Sequence, residues 1–145
     1  MTVQHNLPPV NAYTGDGSTT VFNFTYQVLN YATDLSVYFV VNSTPTLQTG
    51  GYTVTYNTPT SLPSTGYVTF YTAPPAGTII RLVRNTYEQR LTNYVTGPIQ
   101  PSTLNADFDN LELQIQDTNS TQMAVDGAGN YQAGGALIRN VGTPL

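Results

Sequence analysis

Period-two alternation, interrupted by turn residues at intervals of about ten positions, constrains this chain more than any other feature. In Val21-Phe-Asn-Phe-Thr-Tyr26, the residues Phe22, Phe24 and Tyr26 fall on one side, and Val21, Asn23 and Thr25 on the other. Successive side chains of a strand point to opposite faces, so this segment reads as a strand with one buried face. Leu35, Val37, Phe39 and Val41 repeat the pattern, as do Tyr52-Thr-Val-Thr-Tyr56 and Tyr67-Val-Thr-Phe-Tyr71, and Ile79-Ile-Arg-Leu-Val-Arg84 closes the set. Turn chemistry separates these runs at Asp16-Gly17, Asn42 to Pro45, Gly50-Gly51, the polar loop Pro59 to Gly66, and Ala73-Pro-Pro-Ala-Gly77. Glycine supplies positive φ and proline presets φ, which is what such reversals need. Five or six short strands so punctuated predict a mainly β chain, an antiparallel β-sandwich over residues 13–100.

One helix is expected after the sandwich, over residues 101–124. Its apolar residues Leu104, Phe108, Leu111 and Ile115 recur at steps of four, three and four, which lines one side of a helix and is also the seam of a coiled coil. Ser102 or Thr103 is the expected cap, because a short hydroxyl accepts a bond from an orphan amide. Asp107 and Asp109 would then complement the positive end of the helix dipole. The seam becomes polar at Thr118 and Gln122. Its apolar stripe must be buried, either on the chain's own sandwich or on symmetry mates around a threefold axis. Residues 1–12, with Pro8 and Pro9, read as an extended arm. Residues 125–145 read as a glycine-rich tail with a β-prone run from Ala136 to Val141.

Composition narrows the function classes. Only 8% of residues are charged, against roughly 25% in ordinary soluble domains. The four cations are Arg81, Arg84, Arg90 and Arg139, there is no lysine, and the net charge is −4. Phosphate binding needs clustered cations, so no nucleic-acid partner is expected. Absence of cysteine excludes a disulfide framework and a thiolate metal site. No apolar run approaches the length of a membrane span, and Met1 to His5 opens no secretory signal. A protein made in a cytosol, remaining soluble and without a membrane partner, is expected.

Candidate chemistry is sparse. His5 is the lone histidine and has no orienting partner in sequence, so it reads as an arm residue. Asp107, Asp109, Glu112 and Asp117 read as a solvated acidic helix face; paired catalytic acids need environments that drive their pKa values apart. Asp126-Gly-Ala-Gly-Asn130 lacks the alternating ligands and closing glutamate of a calcium loop. Arg84 and Arg90 are expected to pair locally with Glu88. Eleven tyrosines and five phenylalanines raise a carbohydrate-binding module as an alternative; against it, Tyr52, Tyr56, Tyr67 and Tyr71 read as strand residues with half-buried rings. No nucleophile–base–orienter set can be drawn, so neither enzyme activity nor a metal or cofactor is expected.

An ordered set of segments resembles the amino-terminal virion-attachment domain of podophage tail fibres and tailspikes of the T-seven type. It comprises Asp16-Gly-Ser-Thr, Phe22-Asn-Phe-Thr-Tyr-Gln-Val-Leu, Leu35-Ser-Val-Tyr-Phe-Val, Gly51-Tyr52 and Gly66-Tyr-Val-Thr-Phe. It continues with Pro74-Pro-Ala-Gly-Thr-Ile-Ile-Arg-Leu-Val-Arg-Asn-Thr86, Leu104-Asn105, and Asp126-Gly-Ala-Gly-Asn before Ile138-Arg-Asn-Val. The resemblance implies a structural virion protein, assembled in the host cytoplasm, that anchors a homotrimeric fibre or spike to tail tube, nozzle and adaptor proteins. It implies a threefold seam at Leu104, Phe108, Leu111 and Ile115, and it designates no tail-binding residue. It also implies that Leu145 lies just past the start of a shaft, as in the anchor of a longer fibre or a short adaptor.

Overall fold

The computed structural model describes residues 9–86 and 97–121, together with the backbone of two short strands further on. In chain order the elements are β1 (Val10–Thr14), β2 (Val21–Val28), α1 (Tyr31–Asp34), β3 (Leu35–Val41), β4 (Thr44–Leu47) and β5 (Tyr52–Tyr56). They continue with β6 (Ser64–Phe70), β7 (Ile79–Arg84), α2 (Pro101–Thr121), and the antiparallel pair β8 (Ala124–Val125) and β9 (Tyr131–Gln132). One sheet has the order β1-β7-β3-β4 and the other β2-β6-β5, and every pairing is antiparallel. The chain is thus a β-sandwich followed by one long helix, as the alternation predicts.

The inward residues of both sheets make one core. Phe22, Phe24, Tyr26 and Val28 come from β2, Val68 and Phe70 from β6, Leu35 and Val37 from β3, and Ile80 and Leu82 from β7. Phe70 ties the layers together: its ring lies 5.8 Å from Phe22, 5.7 Å from Tyr52 and, across the sandwich, 5.3 Å from Phe39. Such spacings are those of favourable tilted or edge-on ring pairs. Gly66 is required by this packing, since a methyl there would meet the Thr55 carbonyl and approach the tip of the Phe24 ring to 2.7 Å.

Several local features differ from the sequence reading. The proposed arm reaches only to Pro9 within the described residues, because Val10 to Thr14 pairs with Ile79 to Val83 as an outer strand; residues 1–8, including His5, lie outside them. The turn expected over Asn42 to Pro45 is tighter: Asn42 (φ 50°) and Ser43 (φ 64°) alone make it, as in two-residue hairpins with both central residues left-handed. Thr44 and Pro45 already belong to β4, an edge strand, where a missing amide disrupts no second ladder. The loop after β5 likewise ends at Ser64 rather than Gly66. Asn30 caps the short α1, its side-chain oxygen accepting from the Ala32 amide at 3.0 Å while the Asp34 carboxylate accepts from the Asn30 amide. The β-prone run from Ala136 to Val141 lies outside the described residues.

Alternation along β2 ends with a register shift between Phe24 and Val28 against β6. As a result Tyr26, Gln27 and Val28 are all buried in succession. A bulge re-aims the residues beside it, and this one brings the Gln27 carbonyl to the end of the core where α2 docks.

At the opposite end, Asp16 organises the β1–β2 turn. Its carboxylate accepts from the Thr19 amide (2.6 Å), the Thr19 hydroxyl (2.7 Å) and the Ser18 amide (2.8 Å). These bonds, the Thr19 amide foremost, hold the carboxyl well below its ordinary value of 3.8. Folding lowers this pKa, so the stabilisation is complete above about 3.8 and is lost as pH falls through the lower folded-state value. In an NMR pH series, Asp16 is expected to stay ionised while freely exposed carboxylates protonate; titration in step with them would refute this account of the turn.

Candidate functional site

The long helix begins differently from the sequence expectation. Pro101 is its first residue, and the Gln100 carbonyl accepts from the amides of Thr103 and Leu104, each at 3.1 Å. Proline suits this position because its φ is preset and no amide is left unsatisfied. Ser102 and Thr103 therefore lie inside the helix rather than capping it. Asp107 and Asp109 lie beyond the first turn, where the dipole has little effect.

The acidic residues do not form a solvated face. Asp107 and Asp117 are buried, as is Asn110. Among the described residues of α2, Leu113 is the apolar side chain with no exposed surface. Leu113, Asp117 and Asn110 share one side of the helix, and Asp117 on that side meets the sandwich.

The contact centres on Arg84, the last residue of β7, whose side chain is 1% exposed. It follows Ile80 and Leu82 in the inward register, so the strand drives a guanidinium toward the core. Its Nε donates to Asp117 Oδ1 at 2.7 Å, one terminal nitrogen to the Gln27 carbonyl at 2.9 Å, and the other to Gln116 Oε1 at 3.1 Å. Asp117 Oδ2 accepts from the Thr86 amide at 2.6 Å, and Gln116 Nε2 donates to Glu112 Oε1 at 3.2 Å. The guanidinium carbon also lies 5.8 Å from the centre of the Tyr26 ring, within cation–π range. Burial pushes the Tyr26 phenol far above its ordinary value, with Arg84 acting in the opposite direction. Arg84 is thus paired with Asp117; the expected local pairing of Arg84 and Arg90 with Glu88 involves residues outside the described ones.

The predicted seam points the other way. Phe108 is 57% exposed, Leu111 51% and Ile115 54%, while Leu104 is half-buried. At about 100° per residue these four centre roughly 160° around the helix from the Leu113–Asp117 side. Leu111 and Ile115, with Gln114, Thr118 and Asn119, border a shallow groove of about 270 Å³. Of the two burial schemes open from sequence, packing on the chain's own sandwich does not cover Phe108, Leu111 and Ile115 among the described residues.

The tyrosines do not share one platform. Tyr52 and Tyr56 are half-buried and donate to the Gln48 and Leu29 carbonyls, Tyr67 is on the outer face of β6, and Tyr71, 71% exposed, lies just past that strand. Tyr31 and Tyr52 border an open groove of about 410 Å³ with Leu35, Gly50 and Val54. Among the described residues no three of His, Cys, Asp and Glu gather closely enough to hold a metal ion. The Asp126 to Asn130 segment lies outside them.

Sequence reasoning missed the Arg84–Asp117 pair. A cation at the third inward position of β7 was the available signal, since a buried charge requires a partner. Comparison with protein-family models and with curated proteins finds no match for this chain.

Breaking one side of a buried pair strands the other charge, at about 3–5 kcal/mol. Asp117→Ala is therefore expected to lower unfolding stability by about that amount, and Arg84→Met with Asp117→Leu to recover most of it. Denaturant unfolding curves test both; an Asp117→Ala curve overlaying the wild type would remove the pair from its organising role.

Proposed function

We propose that this chain is a structural virion protein, the anchor domain of a homotrimeric tail fibre or tailspike that a podophage uses for host attachment. In this reading it is fixed to the tail tube through nozzle and adaptor proteins and does no catalysis. The observation that carries the proposal is the outward apolar seam of a helix whose opposite side is already committed to the sandwich. Phe108, Leu111 and Ile115 stay more than half exposed on their own chain and would be buried by two further copies packed seam to seam. A contiguous exposed stripe at four-three-four spacing is costly in a monomer and useful in a bundle. The ordered resemblance to phage anchor domains supplies the function that this seam would serve.

A carbohydrate-binding module is the second reading, favoured by the groove beside Tyr31 and Tyr52. The tyrosines diverge in direction, which weakens it as a stacking platform. Silence of the wild-type chain on a glycan array would set it aside.

Light scattering tests the first reading. The wild type is expected at the mass of three chains, and Leu111→Ser with Ile115→Ser at one, with the fold of each protomer retained. Leu113→Ala provides the contrast, because it empties the buried side and should cost about 2–5 kcal/mol of protomer stability. A wild-type mass of one chain would deny the seam its role in these residues.

A further inference from the structure

The two outer faces of the sandwich differ in chemistry. On the β2-β6-β5 sheet, the outward positions include Val21 but are otherwise Asn23, Thr25, Thr53, Thr55, Tyr67 and Thr69, a mostly polar uncharged surface suited to water. On the β1-β7-β3-β4 sheet the outward register instead aligns Ala12, Arg81, Tyr38 and Leu47 in one cross-strand row. Ile79 and Val40 pair in the neighbouring row, and Val83 lies outward beyond Arg81. Leu47 is 51% exposed and Ile79 42%. A solvated sheet face normally alternates to polar residues; this one, apart from Thr14 and Ser36 in the same register, is apolar around a single cation.

Arg81 is exposed and, among the described residues, its guanidinium makes no ion pair or hydrogen bond. None of the outward residues of this sheet is acidic. Covering the face would bury a guanidinium, which is strongly unfavourable unless the covering surface brings a carboxylate. A twofold contact between two copies, centred here, would bring Arg81 toward its own mate with no acid to separate them. The charge pattern thus disfavours a twofold contact between copies and favours a partner that brings an acid.

We infer that the outer face of the β1-β7-β3-β4 sheet is the surface by which this domain grips another protein, one presenting an apolar patch around an acidic side chain. Aromatic and aliphatic residues around one arginine form the usual anchor of such contacts. The inference rests on the anchor reading, in which the gripped protein is a component of the tail. The helix seam then serves copies of this chain, and the sheet face serves the tail.

The experiment measures binding of the full chain to tail particles stripped of their fibres, by biolayer interferometry, for wild type, Leu47→Asp, Arg81→Glu and, on the opposite face, Thr53→Lys. Melting temperature and light-scattering mass are recorded for each. Wild type and Thr53→Lys are expected to bind alike, while Leu47→Asp and Arg81→Glu each weaken binding about tenfold or more at unchanged melting temperature and mass. Wild-type binding by both sheet variants would overturn the face assignment and leave the anchor reading standing. Failure of the wild type to bind would overturn both. A fall in mass on Leu47→Asp would show the face to be a contact between copies, and would overturn the inference.

Discussion

A single buried guanidinium fixes the relation between the two parts of this molecule. Arg84 ends an otherwise apolar inward run, and nothing in the core of a sandwich can neutralise it. The helix supplies what is missing: Asp117 for the charge and Gln116 as a second acceptor, while the bulge in β2 contributes the Gln27 carbonyl. Directional bonds fix rotation as well as position. Once Asp117 holds both Arg84 and the Thr86 amide, α2 has one permitted face toward the sandwich. An apolar contact would have let the helix roll; a carboxylate held at once by a guanidinium and a backbone amide does not.

That fixed rotation separates two surfaces that hydrophobicity alone would have merged. An amphipathic helix beside a sandwich is expected to bury its apolar stripe against it. Here polar residues dock, through Asp117 and Gln116 on Arg84, and the larger apolar stripe is more than half exposed at Phe108, Leu111 and Ile115. The arrangement spends the helix's polar side on intramolecular specificity and leaves its apolar side for association. The two sheets divide similarly, one outer face mostly polar and the other mostly apolar around Arg81.

Much of the fold was legible in the sequence because period-two alternation is a local signal. Phe22, Phe24 and Tyr26 declare their burial without reference to anything distant, and the turn residues mark most strand ends. Elements that lacked local contrast were missed. In β4, Thr-Pro-Thr-Leu is exposed throughout and exists only because β3 offers a free edge. β1 likewise depends on β7. The seam residues could be identified from spacing, but not their direction, which Arg84 and Asp117 decide across 33 positions of chain. Asp117 looked solvated for the same reason: its burial is set by a cation elsewhere in the chain, and periodicity does not register it.

The docking of α2 has a mechanical consequence. Tension applied to the chain beyond the helix enters the sandwich at Asp117, and so through Arg84 and the Thr86 amide at the end of β7. This strand is hydrogen-bonded on both sides, to β1 and to β3. Load reaching it is shared between two ladders, whereas the same pull on an edge strand would open one ladder a bond at a time. The helix is moored where the sandwich is hardest to unzip.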